Sequence, residues 1–76
     1  MNKLEFNIAF GEYLKSLRIN KGLTQVDLAS LMNINPQNIS AVERGRVTPT
    51  IFWIYNLSEC LEIPFDEILN SFSKNN

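Results

Sequence analysis

Histidine is absent from this chain of 76 residues, and cysteine occurs only once, at Cys60. A single cysteine cannot close an internal disulfide, so nothing in the sequence requires an oxidising compartment, and we expect the cytoplasm. The chain also lacks a glycine-rich phosphate loop and a serine in a nucleophile setting. These absences argue against an enzyme, and we expect no metal ion or other cofactor.

Long apolar runs are missing as well. No stretch approaches the roughly 18 uninterrupted apolar residues of a membrane span, and residues 1–7 lack the apolar run of a signal peptide. With 45% hydrophobic residues, three glycines and three prolines, the composition is that of an ordinary globular domain. We therefore expect one domain over residues 1–76 and no membrane partner.

An excess of positive charge is also lacking, since the net charge is −1. On its own, this value argues weakly against a nucleic-acid partner. The charges are unevenly distributed, however. Residues 15–50 hold five basic and two acidic side chains, a balance of +3, whereas residues 51–76 hold one basic and four acidic side chains, a balance of −3. A polyanion would therefore contact the middle of the chain.

What the sequence does contain is helical periodicity, and no segment alternates as a strand would. Apolar residues three and four apart predict a first helix that ends near Asn20, before Gly22. Thr24 can cap a second helix over about 25–32. The first third of the sequence thus already predicts helices, as expected for an all-α fold.

A third helix is predicted over about 36–44, because Asn35 can cap it and Pro36 suits its first position. Gly45 would stop it. The second and third helices are then joined by Asn33-Ile34-Asn35, which is the sequence form of a helix-turn-helix. On spacing alone, a generic helical hairpin in a five-helix bundle explains the pattern equally well.

The last third of the chain predicts two more helices. Thr50 can cap a fourth from Ile51 to about Leu61, and Pro64 can open a short fifth. The fourth helix has apolar residues on more than one face, which exceeds what one small core needs.

This surplus predicts a homodimer through residues 51–72. The expected interface residues are Trp53, Phe65, Ile68 and Phe72. A monomer that folds all of these side chains inward is the alternative.

Short motifs occur at fixed separations over most of the chain. They are Gly22-Leu23-Thr24-Gln25, Leu28-Ala29, Ile39-Ser40, Val42-Glu43-Arg44-Gly45, Pro49-Thr50 and the closing segment 60–69. Together they resemble the Cro/repressor-type (XRE) helix-turn-helix family, without a gap from Phe10 to Leu69. The resemblance implies a compact five-helix, lambda-repressor-like DNA-binding domain. The short length is most similar to stand-alone phage repressors and restriction-modification controller proteins.

The resemblance implies that the third helix reads bases, through Asn35, Pro36, Gln37, Asn38 and Ala41. Gln37 is the strongest candidate, because a carboxamide can pair with both N6 and N7 of adenine in the major groove. Pro36 offers only apolar contact, so direct contacts would be few and DNA shape would contribute more to specificity. Capping and turn chemistry alone would explain Asn35 and Pro36, but not the other three.

Phosphate contacts are implied for Gln25, Arg44 and Arg46. Gln25 would lie at the start of the second helix, where backbone N–H groups already favour an anion. The alternatives are an exposed polar residue for Gln25 and dipole-compensating surface charges for the arginines.

Arg18 and Glu43 match positions that form an interhelical ion pair in the family. The resemblance implies a structural role for them, and the alternative is that both side chains are solvated.

These features predict a non-enzymatic transcriptional regulator that binds a two-fold symmetric operator in double-stranded DNA as a homodimer. A protein-interaction module that keeps this fold, such as the antitoxin of a toxin pair, is the second hypothesis. Its contact face would be the acidic last third of the chain. The dependence of DNA affinity on salt would distinguish the two, because phosphate contacts impose a steep loss of affinity with salt.

Overall fold

The computed structural model describes residues 1–73, which form five α-helices and no strand. The helices are α1 Lys3–Asn20, α2 Gln25–Met32, α3 Pro36–Glu43, α4 Ile51–Leu61 and α5 Phe65–Ser73. The all-α prediction is confirmed, and α3 ends one residue before its predicted end. Within the described residues, no helix is both long enough and apolar enough to cross a membrane. Residues 74–76, the end of the predicted domain, lie outside the described part.

The first four helices each begin at a side chain that accepts a hydrogen bond from the helix's own first turn. These caps are Asn2, Thr24, Asn35 and Thr50. After Asn2 and Thr24, an acidic residue three positions on bonds back to the backbone N–H of the cap. Hydrogen bonds from Thr24 also lower the pKa of Asp27. The sequence predicts every cap except Asn2, because the apolar pattern becomes recognisable only from Phe6.

Four residues that follow helices adopt the left-handed conformation. They are Gly22, Asn33, Gly45 and Glu62, with φ between 56° and 73°. After α3, the backbone N–H groups of Gly45 and Arg46 donate to Val42 and Ala41, which closes the helix in a Schellman motif. The sequence predicts the glycine endings. It does not predict Glu62, because a residue with a Cβ rarely adopts this conformation.

The core draws side chains from all five helices. Its fully buried members are Phe10, Leu14, Leu28, Ile39, Val42, Leu57 and Ile68. Phe10 lies within an aromatic cluster formed with Phe6, Tyr13, Trp53 and Phe72, whose ring centroids are 5.1–6.1 Å from its own. The cluster joins α1 to α4 and α5.

This cluster corrects the predicted dimer interface. Ile68 is 0% exposed, so its assignment as an interface contact is wrong. Phe72 meets Phe6 and Phe10 edge to face, at 5.2 and 5.1 Å, and Trp53 meets Phe10 in the same way at 6.1 Å. These rings fill space between helices of one protomer, where they bury more surface than an outward orientation would allow. Phe65 is half-buried against the core.

The exposed apolar residues of α4 are different ones. Ile51 is 70% exposed, Phe52 71% and Tyr55 49%, and the rings of Phe52 and Tyr55 lie 6.4 Å apart. Helical periodicity cannot identify this face in advance, because α4 is apolar nearly all round. The surplus of apolar surface predicted for the last third therefore exists, but on residues other than Ile68 and Phe72.

Helices α1 and α3 lie very close together at Gly11, in the middle of α1. A Cβ at this position would lie 2.5 Å from the carbonyl oxygen of Val42 and 2.6 Å from that of Glu43. Both atoms are backbone, so neither can turn aside. Gly11 therefore lets α1 lie directly against the C-terminal end of α3.

We expect Gly11→Ala to destabilise the protein by about 1–3 kcal/mol, because the added methyl group must push α1 away from α3. Alanine has a higher helix propensity than glycine, by up to about 1 kcal/mol, which alone would stabilise the variant. The expected change in stability is therefore opposite in sign to the effect of helix propensity. Urea unfolding midpoints measure the effect. Ser16→Ala, on an exposed position of α1, is the control and should change little. A midpoint for Gly11→Ala at or above the wild-type value would contradict the close contact.

Candidate nucleic-acid interface

Helices α2 and α3 are joined by three residues, Asn33 to Asn35, in a tight turn. Asn33 supplies the left-handed backbone, with φ 58°. The N–H of Ile34 then donates to the carbonyl of Ala29 at 2.9 Å, and the Ile34 side chain packs against the core. The turn is therefore fixed by both backbone bonds and burial, and it sets the angle between the two helices.

Helix α3 has one buried face and one open face. Ile39 and Val42 are buried, whereas Pro36 and Gln37 are exposed and Ala41 is half-buried. Gln37 and Ala41 are four residues apart, so they lie one above the other on the same face. The open face is short and carries one long polar side chain, Gln37.

Two other predicted base readers use their oxygen atoms inside the protein. The Oδ1 atom of Asn35 accepts from the N–H of Gln37 at 2.8 Å, which caps α3. The Oδ1 atom of Asn38 accepts from the indole N–H of Trp53 at 2.6 Å. In each asparagine the NH2 group, for which no such bond is seen among the described residues, is therefore the more available contact for DNA. Sequence reasoning missed the bond to Trp53 because it depends on how α4 packs beside α3.

The carboxylate of Glu43, at the end of α3, is bonded from two other helices. Arg18 of α1 donates to it from Nε at 2.6 Å and from Nη2 at 3.2 Å, and Gln25 of α2 donates from Nε2 at 3.0 Å. Arg18 also donates to the carbonyl of Leu23, at 2.9 Å, in the loop between α1 and α2. The Arg18 and Glu43 side chains are only 11% and 4% exposed. Hydrogen bonding to Glu43 raises the pKa of Arg18.

This network places Gln25 beside the C-terminal end of α3. One N–H of its amide is used for Glu43, and an amide nitrogen carries two. A phosphate contact from Gln25 would therefore use the second N–H or the backbone at the start of α2. The same end of α3 leads into the two arginines that were predicted with Gln25, so the network brings the three expected phosphate contacts to one region.

Arg44 and Arg46 are both exposed. The Nε atom of Arg44 donates to the carbonyl of Ser40 at 3.3 Å, so this side chain lies along α3. The backbone of Arg46 is held by its 3.0 Å bond to Ala41. The following loop is held as well, since the hydroxyl of Thr48 donates to the buried side chain of Asn7 at 2.8 Å.

The acidic residues of the last third lie on other elements. Glu59, Glu62, Asp66 and Glu67 are exposed, at or after the second half of α4. The two local charge excesses seen in the sequence therefore lie on different elements, with Arg44 and Arg46 at the end of α3 and these four carboxylates on α4, on α5 or between them. An anionic ligand would be attracted to the first region and repelled by the second.

Comparison with known proteins agrees with this geometry. The family model described as Helix-turn-helix matches residues 14–68, which is more than half of the chain. The chain belongs to the helix-turn-helix family. Members of this family are DNA-binding transcriptional regulators rather than enzymes, and this chain is one of them.

Individual relatives point the same way. The chain is 34% identical over 59 residues to an uncharacterised HTH-type transcriptional regulator of Sinorhizobium fredii, covering 78% of this chain and 77% of that protein. It is 36% identical over 62 residues to the HTH-type transcriptional repressor RghR of Bacillus subtilis, covering 80% of this chain but only 46% of the repressor. The chain thus spans less than half the length of RghR.

A solved structure is also similar. The restriction-modification controller protein C.AhdI from Aeromonas hydrophila superimposes with a TM-score of 0.77 at 34% sequence identity. The similarity covers 82% of this chain and 94% of the controller protein. The five-helix, lambda-repressor-like fold expected from the resemblance is therefore confirmed.

We expect Arg18→Ala to destabilise the protein by about 3 kcal/mol, because it leaves the nearly buried carboxylate of Glu43 without its charged partner. Lys15→Ala is the control, since Lys15 is an exposed cation on the same helix. Urea midpoints of the two variants give the comparison. Small and equal shifts would mean that Glu43 is adequately solvated without Arg18.

Proposed function

We propose that this protein regulates transcription by binding a two-fold symmetric DNA operator as a homodimer, in the cytoplasm. The observation that carries the proposal is the open face of α3, which leads directly to Arg44 and Arg46. Glu43 fixes that end of the helix by bonding to α1 and α2. A recognition helix needs such rigid support, because base contacts depend on its placement in the major groove.

In this proposal α3 lies in the major groove, and Gln37 pairs with adenine. Ala41, one turn later, contacts a thymine methyl group. Pro36 adds apolar contact at the start of the helix. Since few side chains reach base edges, the deformability of the operator contributes a large share of the specificity.

Phosphate contacts from Gln25, Arg44 and Arg46 position the helix without reading sequence. The exposed arginines supply the electrostatic part of the affinity, despite the net charge of −1. Since four of the exposed carboxylates lie on α4, on α5 or between them, these four weaken the attraction least when α3 faces the duplex.

Two substitutions separate base reading from phosphate contact. We expect Gln37→Ala to weaken specific binding by roughly 1–3 kcal/mol and to leave non-specific affinity nearly unchanged, because it removes a base contact but no charge. We expect Arg46→Ala to weaken both and to flatten the salt dependence by about one unit. Titrations of selected and random duplexes at several salt concentrations provide the measurement.

The contrary results are equally specific. If Gln37→Ala weakens binding to the selected and the random duplex equally, Gln37 does not contact a base. If Arg46→Ala leaves the salt dependence of the affinity unchanged, Arg46 does not contact a phosphate. A wild-type protein with no salt-dependent duplex binding at all would favour the protein-interaction alternative.

The homodimer is proposed through the exposed apolar face of α4, formed by Ile51, Phe52 and Tyr55. Tyr55 and Phe65 also line a shallow groove between α4 and α5, beside the carboxylates of Glu59 and Glu62. Helix α1 also has exposed apolar residues, but on α4 they fall within five positions and include an aromatic pair, and such patches are uncommon on the surface of a monomer. To read two half-sites, a two-fold axis at this face has to set the two copies of α3 about 34 Å apart, one turn of DNA.

We expect Phe52→Ser to shift the protein toward monomer with little change in its urea midpoint, because the Phe52 side chain is 71% exposed. Ile19→Ser, which alters a 57% exposed apolar side chain on α1, is the matched control and should leave the association unchanged. Sedimentation equilibrium at micromolar concentration measures both. A wild-type protein that stays monomeric, both free and on a palindromic duplex, would refute the dimer.

A further inference from the structure

The hydrogen bond between Trp53 and Asn38 joins the start of α4 to the first turn of α3. The indole nitrogen lies 2.6 Å from Oδ1 of Asn38, and both side chains are half-buried. Trp53 is the only tryptophan in the chain. The bond therefore connects a core residue to the helix that is proposed to read DNA.

The chemistry of the two groups dictates how the asparagine is oriented. An indole N–H can only donate, so it must face the carbonyl oxygen of the amide and not its NH2 group. This bond uses one of the two lone pairs of the oxygen and orients the whole amide. The NH2 group of Asn38 makes no hydrogen bond to any residue within 1–73.

Trp53 is itself held from two sides. Its ring lies edge to face against Phe10, with centroids 6.1 Å apart, and Phe10 is fully buried. Its backbone N–H donates to the hydroxyl of Thr50 at 3.0 Å, which caps α4. The indole therefore cannot follow a movement of Asn38 without disturbing the core.

We propose that Trp53 is a positioning residue for DNA recognition: it holds the amide oxygen of Asn38 toward α4, so that Asn38 acts on DNA as a hydrogen-bond donor. Asn38 then recognises an acceptor on the duplex, either a phosphate oxygen or a base acceptor such as guanine O6 or N7 or thymine O4. The paired contact to adenine is disfavoured, because it needs the oxygen as well as the NH2 group of the amide to face the base. This inference rests on the proposed function and adds to it the class of atom that Asn38 recognises.

Trp53→Phe tests the proposal, because it keeps an aromatic ring beside Phe10 and removes the N–H. The amide of Asn38 can then rotate. We expect affinity for the duplex selected by the wild type to fall roughly 3- to 10-fold, as for the loss of one neutral hydrogen bond. If Asn38 faces a base, sequence selection should also show adenine newly accepted at one position. Unchanged affinity and unchanged preference would overturn the proposal.

A double-mutant cycle shows whether Trp53 acts through Asn38. In an Asn38→Ala background, Trp53→Phe should cause no further loss of affinity, because the group it positions is gone. An equal loss in both backgrounds would mean that Trp53 supports the fold in some other way, and would overturn the proposal.

Asn38→Asp keeps the test valid even if Trp53→Phe fails to fold. An aspartate can still accept the indole N–H but offers DNA an oxygen where the NH2 group had been, so it should bind more weakly than Asn38→Ala. Equal binding by the two variants would overturn the proposal.

The same variants identify the acceptor. A loss for Asn38→Ala that is equal on selected and random duplexes indicates a phosphate, and a loss confined to the selected duplex indicates a base. Failure of the proposed function gives a different result: the wild-type protein would show no preference among duplexes. That result would overturn this inference as well. Preference in the wild type without any effect of Trp53→Phe overturns this inference alone.

Discussion

The carboxylate of Glu43 is the constraint on which the rest of the structure depends. It is nearly buried, and a buried charge must be neutralised by close donors. Arg18 and Gln25 provide them from α1 and α2, so three helices meet at one side chain. Gly11 makes this meeting possible, because only a residue without a Cβ lets α1 lie against the carbonyls at the end of α3.

Helix α4 supports the helix-turn-helix from the other side. Near its start, Trp53 bonds to Asn38 on α3. Further along, Asn56 and Cys60 donate to the carbonyls of Met32 and Leu31 at the end of α2, at 2.9 and 3.0 Å. Carbonyls at the end of a helix have no partner within that helix, so these bonds from α4 satisfy them. Cys60 is thus half-buried and acts as a donor to the end of a helix.

Two surfaces of the molecule differ in their chemistry. One presents a short polar face and two arginines, at the end of α3 that Glu43 bonds to α1 and α2. The other presents the apolar residues Ile51, Phe52 and Tyr55 near exposed carboxylates. An anion and an apolar surface can therefore be bound at the same time without competing for the same atoms.

The sequence by itself determined the features that depend only on residues close together in the chain. Thr24 and Asn35 cap helices, and Gly45 ends one, because each acts on backbone within a few positions. The family motifs likewise indicated the pair of Arg18 and Glu43. Only the tertiary structure decided which apolar face of α4 is buried, because periodicity cannot choose among faces that are all apolar. That choice placed Trp53 beside Asn38 and buried Ile68, and both outcomes depend on contacts between residues far apart in the chain.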